Sequence, residues 1–160
     1  MRLAIVAVGR LKAGPERELA DMYRQRTAKA GRSIGFQAVD VLEIAESRAG
    51  RPQDRMNEEG RAITAAIPAD AVRVALDAGG TALTSEKFAA RLTSWRDDGR
   101  PAVCFAIGGA DGLAAEIKQR ADLTLSFGAA TWPHQLVRIM LLEQLYRAVT
   151  IVSGHPYHRC

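Results

Sequence analysis

The chain has no long apolar run and few cysteines. None of its 160 residues falls in a stretch that approaches the roughly 18 consecutive apolar residues of a membrane-spanning helix. The apolar run within MRLAIVAVGRLKAG is also too short for a secretory signal. The two cysteines, Cys104 and Cys160, lack metal-ligand spacing and are too few for a disulfide framework. We therefore predict a cytoplasmic protein with one core thiol and one exposed thiol.

Several nucleotide-binding and hydrolytic motifs are missing as well. There is no GxxxxGK[ST] loop for a triphosphate and no GxGxxG after the first predicted strand. A GxSxG elbow and an HExxH zinc motif are also absent. These absences argue against a P-loop enzyme, a nicotinamide oxidoreductase, a serine hydrolase and a zinc protease.

The composition is that of an ordinary folded domain, with 48% hydrophobic and 25% charged residues. No repeat, low-complexity tract or linker divides the chain, so we predict a single domain over residues 1–160. The net charge of +4 mildly favours an anionic partner such as nucleic acid. Residues 1–67 hold most of this excess, with 12 basic and 9 acidic side chains.

Strand-like and helical segments alternate along the chain. Five runs rich in β-branched and apolar residues occur at 2–8, 36–44, 71–78, 102–109 and 123–128. This alternation predicts an α/β fold with a mostly parallel sheet.

Two of the intervening helices have clear end signals. Pro15 suits a first helical position, and Leu19, Met22 and Tyr23 then follow with helical spacing. Thr84 suits the cap of another helix, which Gly99 ends.

The most polar stretch, residues 46–62, is predicted to be a mobile loop that opens into a helix. It carries Arg48, Arg51, Arg55 and Arg61. These arginines suit phosphate binding, but the nearby carboxylates favour an ordinary solvated face.

Three loops of small residues follow the last three predicted strands: LDAGGT at 76–81, IGGADG at 107–112 and FGAATW at 127–132. Ligands of open parallel sheets bind outside the carboxyl ends of the strands. Glycine and alanine let the backbone approach such a ligand closely. The loops predict a site for a nucleotide-like molecule without a polyphosphate.

The last helix, beginning at Pro133, is apolar almost all round, which favours burial against the sheet and against a second subunit. Its polar pairs, His134 with Arg138 and Glu143 with Arg147, lie on nearly opposite faces. An ordinary ion pair is the alternative interpretation for Glu143 and Arg147.

The terminal segment SGHPYHRC follows this helix. It has no apolar pattern, but it offers donors, an aromatic ring and positive charge. These groups suit a nucleotide base and its phosphate, although a disordered end is also open.

Three segments together resemble the RlmH family, the pseudouridine N3-methyltransferases of large-subunit ribosomal RNA, which are small members of the SPOUT superfamily. They are IGGADG, LSFGAATWPHQLVRIMLLEQLYRA and the terminal HPYHR, and VAVGRLK and LDAGGTALTSEKFA are similar too. The resemblance implies an open, mostly parallel sheet with helices on both faces and a C-terminal trefoil knot over about residues 71–155. One departure is Thr81, where the family often has lysine.

The resemblance also implies a homodimer and S-adenosylmethionine as methyl donor, without a metal. The substrate would be a pseudouridine in a stem-loop of large-subunit rRNA, on the ribosome. Carried over by position, the cofactor-binding residues are Leu76, Gly108, Phe127, Gly128, Ala129, Ala130, Thr131 and Trp132.

The expected catalytic residues are Tyr157, His158 and Arg159 of the tail, with Glu143 and Arg147 positioning tail or substrate. His158 is the first candidate for proton handling, because the ordinary pKa of histidine lies near neutral pH. Two other functions stay open: a related knotted methyltransferase acting on tRNA, and a non-enzymatic RNA-binding module of the ribosome.

Overall fold

The computed structural model describes residues 1–37 and 39–158, which form one five-stranded sheet with helices on both sides. The strands are β1 (Arg2–Val8), β2 (Val39–Ile44), β3 (Val72–Ala82), β4 (Ala102–Ile107) and β5 (Leu123–Ser126). The helices are α1 (Pro15–Gly31), α2 (Pro52–Ala66), α3 (Ser85–Asp97), α4 (Ala115–Gln119) and α5 (His134–Ser153), and a 3₁₀ turn spans Arg32–Ile34.

The strand order is β2-β1-β4-β3-β5, and every pair of neighbours is parallel. Leu3 of β1 lies opposite Val39 on one side and Val103 on the other. The predicted α/β class and parallel sheet are confirmed. Because all strands run the same way, their carboxyl ends meet at one edge of the sheet.

Side chains of β1 alternate between two cores, as the pleat of a strand requires. Ile5 packs in the core that α1, α3 and α5 cover, whereas Val6 packs in a smaller core with Ile63 of α2. Helices therefore cover both faces, as expected. Cys104 is buried in the sheet, and burial raises the pKa of its thiol; Cys160 lies outside the described residues.

The predicted helix ends are confirmed at three places. Pro15 is the first residue of α1, and Pro133 immediately precedes α5. The Thr84 hydroxyl accepts a 3.3 Å hydrogen bond from the Lys87 N–H and caps α3, which ends two residues before Gly99. The first helical stripe was partly wrong, because Leu19 is 40% exposed and Ala20 is buried instead.

Four of the five strands differ from prediction at one end or both, and β4 and β5 each end two residues earlier than predicted. β2 begins at Val39 rather than at residue 36. β3 continues to Ala82, beyond the predicted end at 78, because Leu76 and Thr81 both pair with Leu125 and the residues between them loop out. Gly80 permits this return, since a Cβ there would lie 2.6 Å from the Thr124 carbonyl oxygen.

Within residues 1–37 and 39–158, none of the helices combines the length and the apolar character needed to cross a membrane. In the same part of the chain, His, Cys, Asp and Glu side chains form no group of three or more that suits a metal ion.

Candidate functional site

A cavity of 540 Å³ opens at the carboxyl ends of β3, β4 and β5. Three loops and the first turn of α5 enclose it. Its lining consists of Leu76, Asp77, Ala78, Ile107, Gly108, Gly109, Ala110, Gly112, Leu125, Phe127, Gly128, Ala130, Thr131, Trp132, Pro133, His134 and Val137. The volume lies within the range of small-molecule and cofactor sites.

The structure brings the three small-residue loops together, as the strand-end argument expects. Seven of the eight residues predicted to bind a cofactor line the cavity: Leu76, Gly108, Phe127, Gly128, Ala130, Thr131 and Trp132. Ala129 does not line it, although both of its neighbours do. Thr81 is exposed at the end of β3 and is not part of the lining.

Gly108 shapes the wall of the cavity through its backbone. A Cβ at this position would lie 2.5 Å from the carbonyl carbon of Gly112 and 2.8 Å from the Leu113 nitrogen. The loop therefore folds back on itself more tightly than any side chain allows. Gly112 itself has a φ of +86°, a conformation that glycine adopts without steric cost.

Asp77 adds one negative charge to the cavity wall. Its carboxylate accepts a 2.9 Å hydrogen bond from the Gly79 N–H and a 3.1 Å hydrogen bond from Lys118 Nζ. Burial acts to raise the pKa of Asp77, but these two donors outweigh it, so the pKa lies below its ordinary value. Asp77 is therefore ionised, and its carboxylate can accept hydrogen bonds from a ligand in the cavity.

Asp77 and His134 line the cavity but were not among the predicted site residues. Asp77 lies inside the quoted loop LDAGGT, so its polarity was the available signal. His134 lines the cavity from the first residue of α5, and its buried Nε2 has no hydrogen-bond partner among the described residues.

The tail folds back on the helix that precedes it. Gly154, with a φ of +68°, ends α5 and turns the chain. The Tyr157 hydroxyl then donates a 3.1 Å hydrogen bond to Glu143 Oε1, which also accepts a 2.6 Å hydrogen bond from Arg147 Nη2. The Arg147 guanidinium lies 5.0 Å from the centroid of the Tyr157 ring. The centroids of the Tyr157 ring and of the Tyr146 ring on α5 are 4.6 Å apart.

These contacts fix the protonation of Tyr157. Burial, followed by contacts with Tyr23 and the negative charge of Glu143, raises the pKa of Tyr157 well above its ordinary value of 10. The phenol therefore keeps its proton at neutral pH. It donates its hydrogen bond to Glu143.

His158 continues the same line of contacts. Its Nε2 lies 2.9 Å from Glu86 Oε1 in the first turn of α3. The pKa of Glu86 is lowered first by the Thr84 hydroxyl and then by a backbone N–H, with smaller contributions from His158. Arg159, the third predicted tail residue, lies outside the described residues.

The cavity and the tail do not meet within one chain. The cavity lining ends at Val137, and it includes none of the described tail residues. Glu143, which anchors the tail, is nine residues from His134, so the two side chains point about 180° apart around α5. The predicted site residues thus form two separate groups.

Arg138 joins the cavity end of α5 to the first two strands. It is only 1% exposed, donates a 2.6 Å hydrogen bond to Glu43 Oε1 and donates a second, of 2.9 Å, to the Gly9 carbonyl. Burial acts to raise the pKa of Glu43, but the Leu11 N–H and Arg138 lower it overall. The pair fixes the first turns of α5 beside the cavity.

A family model and named relatives match nearly the whole length of this chain. The family model described as "Predicted SPOUT methyltransferase" matches residues 1–158. A protein of Rhodopseudomonas palustris named "Ribosomal RNA large subunit methyltransferase H" is 59% identical, over 99% of this chain and 99% of that protein. A protein of Nitrobacter winogradskyi with the same name is 57% identical, with the same coverage of both chains.

Among solved structures, a probable methylase family protein from Haemophilus influenzae Rd KW20 superposes with a TM-score of 0.51. The match covers 99% of this chain and 70% of that chain, at 10% sequence identity. At this identity the likeness concerns the fold alone.

Proposed function

This chain belongs to the SPOUT methyltransferase family, among proteins named ribosomal RNA large subunit methyltransferase H, and we propose that it methylates a pseudouridine of large-subunit rRNA. The methyl group goes to N3 of the base, within a stem-loop, and S-adenosylmethionine is the donor. The observation that carries this proposal is the cavity that three small-residue loops enclose at the carboxyl ends of β3, β4 and β5.

The lining of the cavity suits the donor. Gly108, Gly128 and Ala130 leave backbone groups accessible, and Leu76 and Leu125 supply an apolar floor for an adenine ring. The loops contain no phosphate-binding motif, and S-adenosylmethionine carries no polyphosphate. When bound, the donor supplies a methyl group on a positively charged sulfur, and the ionised Asp77 offers an acceptor close to such a ligand.

The chain must also handle a proton. The N3–H of pseudouridine is a weak imide acid, and its nitrogen is a good nucleophile only once that proton has left. His158 accepts the proton in our proposal, and Arg159 stabilises the negative charge that develops on the carbonyl oxygens. Tyr157 stays protonated and holds the tail in place through Glu143, beside Arg147.

A second copy of the chain supplies the tail. Since the described tail residues do not line the cavity of their own chain, a complete site requires the tail of a partner. The last helix is buried on most sides, yet Leu136 near its start is 40% exposed, and Trp132 just before it is 44% exposed. A homodimer would cover these side chains and bring the two groups of residues together.

We propose the following domain organisation, substrate particle and location for the enzyme. A single domain over residues 1–160, knotted over about 71–155, methylates the ribosome in the cytoplasm. Because a net charge of +4 gives modest attraction for bare RNA, a folded ribosomal surface supplies part of the recognition.

Incubation with labelled S-adenosylmethionine tests the proposed function. Ribosomes should gain one methyl group per particle, and nucleoside analysis of their large-subunit rRNA should place it on N3 of a pseudouridine. Ribosomes that lack the pseudouridine should stay unlabelled. Label in tRNA instead would favour a related methyltransferase, and RNA binding without any transfer would favour a binding module.

A further inference from the structure

Four exposed cations follow β1, which pairs with β4, and β2, which pairs with β1 at the edge of the sheet. Arg10 and Lys12 come after β1, and Arg48 and Arg51 come after β2. We call these four side chains the basic rim. In the described part of the chain, their only ion-pair contact is a long one of 3.9 Å between Arg10 and Glu43.

The segment that carries Arg48 and Arg51, residues 45–51, has no regular secondary structure but is firmly held. The Ser47 N–H donates a 2.9 Å hydrogen bond to the buried Glu59, and the Ser47 hydroxyl donates to Glu58. Arg55 Nη1 donates to the carbonyls of Ala49 and Gly50 at 3.0 and 3.2 Å. The expected mobile loop is therefore tied to α2 at both ends.

The same arginine ties the segment to the cavity wall. Arg55 makes a two-pronged contact with Asp111, with Nε at 2.6 Å from Oδ2 and Nη2 at 3.1 Å from Oδ1. Asp111 belongs to the IGGADG loop, between Ala110 and Gly112 of the cavity lining. Because Arg55 already pairs with Asp111, it is not available to bind phosphate. Arg48 and Arg51, in contrast, are exposed.

Two further short distances show that residues 45–51 lie beside the cavity. Glu46 Oε1 and the buried His134 Nε2 both lie within 3.0 Å of the point where a Cβ on Gly9 would be. Glu59 Oε2 lies 3.1 Å from the corresponding point on Gly109. Both His134 and Gly109 line the cavity, so residues 45–51 stand at its margin.

We propose that the basic rim binds backbone phosphates of the rRNA strand whose base enters the cavity. This inference rests on the proposed function and extends it to the surface that holds the RNA. Phosphate contacts supply much of the affinity and the register of a nucleic-acid complex. A segment that is already held by Arg55 and Glu59 loses little conformational freedom on binding.

Salt-dependent binding to ribosomes tests the rim. The double variant Arg48→Ala/Arg51→Ala should bind at least about tenfold more weakly at 0.15 M salt, and its slope of log affinity against log salt should fall by about 2. The matched control is Arg32→Ala/Arg100→Ala, which removes the same charge from exposed residues beyond α1 and α3. The control should keep the unaltered slope, and all proteins should keep equal affinity for S-adenosylmethionine.

An unchanged slope in the rim variant would overturn the proposal, and so would an equal loss in the control. If the alanine variant unfolds, Arg48→Gln/Arg51→Gln gives the same test with longer side chains. Methyl transfer by the unaltered protein is measured in the same samples. Its absence contradicts the proposed function, whereas intact transfer with an unchanged slope in the rim variant contradicts the rim alone.

Discussion

The Tyr157 hydroxyl donates a 3.1 Å hydrogen bond to Glu143, fourteen residues earlier in the chain. Through this contact, the tail after α5 is attached to the outer side of its own helix. Arg147 shares the same carboxylate oxygen and lies over the Tyr157 ring. The tail is thus held in a defined place rather than frayed, and two carboxylates contact it: Glu143 through Tyr157 and Glu86 through His158.

Glu143→Gln should slow methyl transfer and leave cofactor binding unchanged. The amide cannot balance the charge of Arg147, and Tyr157 loses a charged acceptor, so the tail moves away from its position. Displacement of a catalytic group by about 1 Å costs roughly 100-fold in rate. We expect kcat to fall about 10- to 100-fold, with an unchanged Kd for S-adenosylmethionine measured by calorimetry.

Glu116→Gln is the matched control, because Glu116 of α4 forms an i,i+4 ion pair with Arg120 just after that helix, far along the chain from the tail. Its kcat should equal that of the unaltered protein. A Glu143→Gln variant with a normal kcat would show that the tail does not need this anchor.

The raised pKa of Tyr157 predicts a loss of stability in alkali. The native state holds this proton more tightly than the unfolded chain, whose tyrosines titrate near pH 10. The stability that this proton contributes to the native state is therefore complete below about pH 10 and is lost as the pH rises further. Thermal unfolding from pH 8 to 11 should show a steeper fall in Tm for the unaltered protein than for Tyr157→Phe. Parallel curves would contradict the buried, hydrogen-bonded phenol.

Gly108→Ala should distort the cavity wall. The new Cβ would lie 2.5 Å from the backbone of Gly112, so the loop has to open. We expect at least a tenfold loss of affinity for S-adenosylmethionine. Gly50→Ala is the control, because no heavy atom lies within 4 Å of its Cβ position, and its affinity should be unchanged. Equal affinities of both variants for S-adenosylmethionine would show that this loop does not take part in cofactor binding.

Removing the charge of Glu43 should destabilise the fold. Arg138 is buried, and Glu43→Gln would leave its charge without a counter-ion. Breaking a buried pair in this way costs about 3 kcal/mol, which urea denaturation measures. The double variant Glu43→Leu/Arg138→Met should recover most of that loss, since neither charge remains. If Glu43→Gln unfolds at the same urea concentration as the unaltered protein, the pair has no such role.

The sheet and the cavity loops were predictable because their signals are local. Alternating strand-like and helical runs indicate parallel order, and glycine-rich loops at three strand ends indicate a ligand site at one edge. Even so, the extension of β3 to Ala82 was not predicted, because glycines usually signal a turn and here they form a bulge within the strand.

Contacts between distant segments were not predictable in the same way. Arg138 was recognised only as a polar residue near the start of a helix, yet it pairs with Glu43, which lies 95 residues away. Arg55 was considered for phosphate binding, whereas the fold places Asp111 against it. Such partners follow from the packing of whole elements and leave no mark on local periodicity.

Mixing two inactive variants tests most directly whether the cavity of one chain and the tail of another form the site. Ala130→Trp fills the cavity, and a variant that ends at Ser153 lacks the tail. In an equal mixture of co-expressed chains, half of the dimers should combine one of each, with one complete site out of two. We expect about a quarter of the unaltered rate of methyl transfer from the mixture, and almost none from either variant alone. A mixture no more active than its components would contradict the shared site.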